Sequence, residues 1–132
     1  MILPSSTRVY LVLGSTDLRK AIIGLSLLVS DIPEIDVFSG QLFVFCNKSR
    51  TLIKILCWDR NGFCLWQKRL EKYRFFWPEC REHTLELGTR ELSWLLEGLD
   101  PMQMQGHPSL KYSTIFLTIA SIFQYIMYTY FP

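Results

Sequence analysis

The chain has 132 residues, of which 49% are hydrophobic and 20% charged. This composition excludes a disordered protein, and the length fits one small domain with its own core. The net charge of +2 says little as a total, but residues 48–74 hold eight cations and two acids, a charge of +6, whereas the rest of the chain sums to −4. A basic middle segment in a slightly acidic chain favours an anionic partner.

The first elements predicted are a strand and a helix. The run from Thr7 to Leu13 alternates and is rich in Val, Tyr and Leu, which predicts a strand that ends at Gly14. Ser15 or Thr16 then caps a helix, with Asp17 in its first turn. Its apolar stripe recurs at helical spacing and comprises Leu18, Ile22, Leu25 and Val29.

After a loop through residues 31–40, three strand-like runs follow at residues 41–46, 51–58 and 62–70. Asn61-Gly62 is a strong hairpin signal between the last two runs. The apolar residues on both faces predict a meander that the helix covers on one face and that is partly exposed on the other. Tyr73 to Trp77 is interpreted as a short further strand before Pro78.

The remaining elements complete an α+β fold. Residues 79–88 are interpreted as a polar loop or an irregular strand. Thr89 caps a second helix that Gly98 ends, and its inward residues are Leu92, Leu95 and Leu96. We therefore predict a small antiparallel β-meander of about four strands packed against two helices, in a single domain of residues 1–112.

Residues 113–132 form an apolar C-terminal extension, since Tyr112 to Pro132 contains no charge. Scattered Ser, Thr and Gln side chains make it a poor membrane span, so a docked or exposed amphipathic extension is favoured. The N-terminus lacks the pattern of a signal peptide, and the predicted location is cytoplasmic.

The residues that could carry chemistry are few. The four cysteines lack C-x-x-C spacing and are interpreted as small buried hydrophobes of a reducing compartment. Cys80 and His83 could supply two metal ligands, but no second pair lies near them. No carboxylate signature or Gly-rich phosphate loop is present. We therefore predict no catalytic residue, no metal, no cofactor and no small-molecule substrate.

The central stretch interleaves aromatic rings with cations, in residues 58–78: WDRNGFCLWQKRLEKYRFFWP. Such a pattern is typical of a nucleic-acid surface, where rings stack on bases and cations meet phosphates. It is also typical of a two-faced sheet with rings in the core and charges in water. The candidate nucleic-acid-binding residues are Lys54, Arg60, Lys68, Arg69, Lys72 and Arg74.

Three ordered segments carry a family resemblance: TDLRKAIIGLSLLV (16–29), FSGQLFVFCNKSRTLIKILCWDRNGFCLWQKRLEKYRFFWP (38–78) and ELSWLLEGLD (91–100). Together they resemble the accessory protein, of the TnpB type, of the insertion sequence 66 family of bacterial transposable elements. The likeness is collinear over about residues 1–116. The apolar stretch after it has no counterpart in the family and resembles readthrough past a lost stop codon.

The resemblance implies a role in transposition beside a separate transposase that carries the DNA-cutting chemistry. No catalytic residues of the family can be transferred, so the protein is expected not to be an enzyme. Its expected partners are the transposase and, through the basic hairpin, DNA. The alternative is a protein-interaction module that binds only the transposase, with Trp94 as an anchor.

Overall fold

A computed structural model describes residues 6–79 and 82–102 as a five-stranded sheet with two helices. The elements in chain order are β1 (Val9–Val12), α1 (Ile22–Ser30), β2 (Leu42–Cys46), β3 (Leu52–Asp59), β4 (Gly62–Arg69), β5 (Thr84–Leu87) and α2 (Thr89–Leu96). The strand order is β4-β3-β2-β1-β5. The predicted α+β class is confirmed, with one strand more than the predicted number.

The antiparallel meander is formed by β2, β3 and β4. Asp59 pairs with Gly62, so Arg60 and Asn61 make a two-residue turn at the predicted hairpin. The pairing of β1 departs from a simple meander, because β1 lies parallel to β2 and α1 connects the two strands. A parallel pair needs such a crossover, which a short turn cannot provide.

Two segments after the meander differ from their predictions. Tyr73 to Trp77 is not a strand, although Phe75 and Trp77 are buried. Within residues 79–88, predicted as a polar loop or an irregular strand, residues 84–87 form the regular strand β5 and pair with β1. The free edge of β1 explains the second difference, because an unpaired strand edge presents backbone groups that a nearby segment can satisfy.

Both faces of the sheet are covered at its centre, and the predicted partial exposure is found only at the edge strand β4, where Trp66 alone is buried. All five residues of β2 are buried, which requires a cover on each side. On one face α1 packs through Leu25 and Val29 over Phe43 and Phe45. On the other face the cover is α2 together with the segment at residues 75–77, and the buried side chains include Val44, Ile55, Trp66, Phe75, Trp77, Leu92, Leu95 and Leu96.

The helices begin at other residues than predicted. Ala21, not Ser15 or Thr16, occupies the N-cap position of α1, and Leu18 is buried ahead of the helix. The Asp17 carboxylate accepts from the backbone N–H of Arg19 at 3.1 Å, a local turn that competes with helix at this point. Thr89 is the first residue of α2 and not its cap, and Gly98 follows the helix at φ +87°.

Nothing in the described residues tests the domain boundary at residue 112, and the predicted C-terminal extension lies outside them. In the parts of the chain that the structure describes, no helix is long and apolar enough to cross a membrane.

Candidate nucleic-acid interface

Two of the six candidate cations are engaged inside the fold. Lys54 is half-buried, and its Nζ donates to the carbonyl oxygen of Leu18 at 2.7 Å and to that of Lys20 at 3.3 Å. Lys68 Nζ donates to the carbonyl oxygen of Leu96 at 2.7 Å, where the last carbonyls of α2 lack helical partners. The two side chains lie on opposite faces of the sheet, so the six cations do not share one face.

Arg60 lies apart from the remaining candidates. It occupies the turn between β3 and β4 with φ +51°, and it is exposed. Arg69 is the last residue of β4, at the far end of the same hairpin. Eight strand residues separate the two ends by about 23 Å at the usual rise per residue.

The other three candidates come together with three further cations. We define the basic end as the set Arg19, Lys48, Arg50, Arg69, Lys72 and Arg74. These residues line two adjoining depressions, an open hollow of about 680 Å³ and a groove of about 1070 Å³. Lys48 and Arg74 line both, so the two depressions form one continuous surface.

The strand register explains this convergence. Leu52, at the start of β3, pairs with Arg69, at the end of β4, so the turn before β3 lies beside the loop after β4. That turn contains Lys48 and Arg50, which belong to the basic segment of residues 48–74 but are not among the six predicted site residues. Counting outward from a turn at Arg60 and Asn61 places Arg50 two residues beyond the pair of Leu52 and Arg69.

Local hydrogen bonds hold the turn that carries Lys48 and Arg50. The Asn47 side-chain oxygen accepts the backbone N–H of Thr51 at 2.9 Å and that of Leu52 at 3.1 Å. Arg50 has φ +61°, and its carbonyl oxygen accepts the backbone N–H of Phe75 at 2.7 Å. This bond joins the turn before β3 to the loop after β4, in which Phe75 is buried.

The hollow and the groove differ in charge. Among its described lining residues, the hollow has four cations and one acid, Asp17, which pairs with Arg19 at 2.8 Å. Hydrogen bonds from Arg19 lower the pKa of Asp17 to about 2, so the carboxylate stays charged at neutral pH. The groove has four cations and three acids, and one of these acids, Glu79, pairs with Arg50. The hollow therefore has a larger excess of positive charge than the groove.

The aromatic rings of the central stretch have three different environments. Trp66, Phe75 and Trp77 are buried, as a core interpretation requires. Trp58 and Phe63 are half-buried and pack against each other with ring centroids 5.0 Å apart. Tyr73 and Phe76 lie on the surface of the groove, with 88% and 55% of their area exposed.

Trp94, the predicted protein-contact anchor, is half-buried on α2. The guanidinium of Arg90 lies 4.9 Å from its ring centroid, a cation–π contact. Its role as an anchor stays a prediction.

The described cysteines are poor nucleophiles. Cys46 and Cys57 are buried, as predicted, and burial raises the pKa of each thiol to about 11. Both are protonated at neutral pH, whereas the thiolate is the reactive form. Cys64 is only half-buried, contrary to the prediction, and burial raises the pKa of its thiol as well, whereas Cys80 lies outside the described residues. Within residues 6–79 and 82–102, no group of three His, Cys, Asp or Glu side chains could hold a metal ion.

Comparison with known proteins gives a family and two relatives. The model of the family described as IS66 Orf2 like protein matches residues 7–106. The uncharacterized protein y4hO of Sinorhizobium fredii is 37% identical over 100 residues, 74% of this chain and 87% of the relative. The uncharacterized protein y4jC of the same organism is 31% identical over 109 residues, 82% of this chain and 93% of the relative. No solved structure matches.

Proposed function

Because the chain belongs to the family of IS66 Orf2 like proteins, we propose that it is a non-catalytic accessory protein of insertion-sequence transposition that acts with the transposase and contacts DNA through its basic end. The family supports the accessory role, since its members are encoded by the second reading frame of such elements. The chemistry of the basic end supports the contact with DNA.

The observation that carries the proposal is the cation-rich hollow. Arg69, Arg74 and Lys48 reach it from three separate segments, and none of them has an ion-pair partner among the described residues. A solvated protein surface usually mixes acids with bases, whereas here the single acid is already paired with Arg19. Exposed, unpaired cations that converge on one depression are what phosphate contacts require.

The proposal predicts a strong dependence of DNA binding on salt. If about four phosphates are contacted, the logarithm of the affinity for duplex DNA falls against the logarithm of the salt concentration with a slope near −3.6. The measurement is a titration of the full chain on DNA from the element's ends at several salt concentrations. Dissociation constants for non-specific binding usually include values of about 10 μM. If no salt-dependent binding with a dissociation constant below about 10 μM were found, contact with DNA would be contradicted.

A second candidate function is a module that binds only the transposase, and one observation favours it. Ile23 and Leu27 lie one turn apart on α1 with 75% and 60% of their area exposed, and α1 contains no charged residue. A helix that is apolar on all sides is normally buried, so the outer face of α1 is suited to a protein partner. These exposed side chains support α1, rather than Trp94 on α2, as the contact of such a module.

Co-purification with the transposase distinguishes the two functions. For a transposase-only module, the complex survives nuclease treatment and high salt, and Ile23→Asn with Leu27→Asn releases it. Ser30→Asn, an exposed change on the same helix, is the matched control and leaves the complex intact. A complex that nuclease alone dissolves would favour contact through DNA.

A further inference from the structure

The groove of about 1070 Å³ differs from the hollow beside it, because it combines exposed rings with charges of both signs. Its volume is enough to hold a nucleotide. Tyr73 and Phe76 supply the rings, and both belong to the loop after β4.

The loop presents these rings to solvent in a fixed way. Phe75 and Trp77 are buried, with 2% and 7% of their area exposed, so the side chain of Phe76 between them points outward. Tyr73 has φ +67°, the left-handed region, which is a genuine outlier for a bulky residue. Strain of this kind clusters at ligand-binding positions, where the surrounding structure enforces it.

The charges divide the groove into two sides. Lys48 and Arg74 lie where the groove meets the hollow, and the hollow continues the positive charge. Glu97 and Asp100, which follow α2, contribute negative charge to the lining. Phosphates are attracted to the hollow and repelled by these carboxylates, whereas the amino groups of nucleobases can donate hydrogen bonds to them.

A duplex cannot use this arrangement fully. Its bases are paired and stacked inside the helix, so their faces do not reach Tyr73 or Phe76. An unpaired strand has free base faces, and every base can stack on an aromatic ring. We infer that the groove binds unpaired nucleotides of single-stranded DNA, with bases on Tyr73 and Phe76 and phosphates in the hollow. The inference rests on the proposed contact with DNA and specifies the form of DNA that this surface takes.

The test compares a labelled single strand of about 16 nucleotides with a duplex of the same length. Titrations of the full chain, followed by fluorescence anisotropy, are expected to show tighter binding of the single strand. Tyr73→Ala or Phe76→Ala is expected to weaken single-strand binding by about 5- to 150-fold, the usual effect of one lost base stack. Neither change should alter duplex binding, since phosphate contacts remain.

Phe38→Ala is the matched control, because Phe38 is also an exposed ring but contacts Trp58 and Phe63 near the hairpin turn. It is expected to leave both affinities unchanged. Equal binding of the two DNA forms, or no effect of Tyr73→Ala and Phe76→Ala, would overturn the inference and leave the proposed function standing. No binding of either form would overturn both. Loss of transposase co-purification in Tyr73→Ala, with DNA affinity unchanged, would make the groove a protein site and overturn the inference.

Discussion

Phe75→Ala is expected to lower the free energy of unfolding by about 3–5 kcal/mol, the usual cost of removing a buried phenylalanine ring. Phe75 is 2% exposed and belongs to the core cluster between the sheet and α2. The loss is a large part of the total, since small domains are stable by only about 5–15 kcal/mol. The loop after β4 has no strand pairing of its own, so this ring is a principal anchor for it.

Phe76→Ala is the matched control one residue away. Phe76 is 55% exposed, and its removal is expected to change the free energy of unfolding by no more than about 0.5 kcal/mol. Urea denaturation of both variants and the parent chain gives the comparison. Equal losses in the free energy of unfolding of the two variants would mean that Phe75 does not lie in the core while Phe76 lies on the surface.

The double change Arg69→Glu and Arg74→Glu is expected to weaken duplex DNA binding by about 30-fold or more at 0.15 M salt. Each phosphate contact contributes about fivefold at that salt concentration through counterion release, and the introduced carboxylates add repulsion. The salt slope should become shallower by about 1.8, because two contacts are lost. Both side chains are exposed, so the fold should persist.

Arg60→Glu distinguishes a local site from a general charge effect. Arg60 is also exposed but lies at the other end of the hairpin, about 23 Å away and beyond the screening length of about 8–10 Å at physiological salt. It is expected to leave the affinity nearly unchanged. If Arg60→Glu weakened binding as much as a single change at Arg69 does, the DNA would contact the hairpin and not the basic end.

Local patterns in the sequence determined much of the fold. The alternation of β3 and β4 and the signal Asn61-Gly62 predict a hairpin, and its observed register pairs Asp59 with Gly62 around a turn at Arg60 and Asn61. The inward face of α2 follows from the spacing of Leu92, Leu95 and Leu96. The ordered motifs also identified the family, which the match over residues 7–106 confirms.

Contacts between distant segments decided the rest. The sequence cannot show that Lys54 meets a carbonyl 36 residues away at Leu18, or that Lys68 meets one 28 residues away at Leu96. Both lysines counted as free charge in the basic segment, and both are engaged inside the fold. Conversely, Arg19 lies at the basic end because β1 is parallel to β2, so the loop after β1 meets the turn after β2 at one end of the sheet. The backbone N–H of Thr16 in that loop donates to the carbonyl oxygen of Cys46 at 2.9 Å.

The sequence by itself therefore determined the α+β class, the hairpin, the family and the concentration of positive charge in residues 48–74. Only the tertiary structure decided which cations share a surface, which rings are exposed and that both faces of the sheet are covered. The physical reason is the separation of the interacting residues along the sequence. Side-chain periodicity and turn chemistry depend on residues a few positions apart. Burial and hydrogen bonding to carbonyls depend on distant segments that only folding brings together.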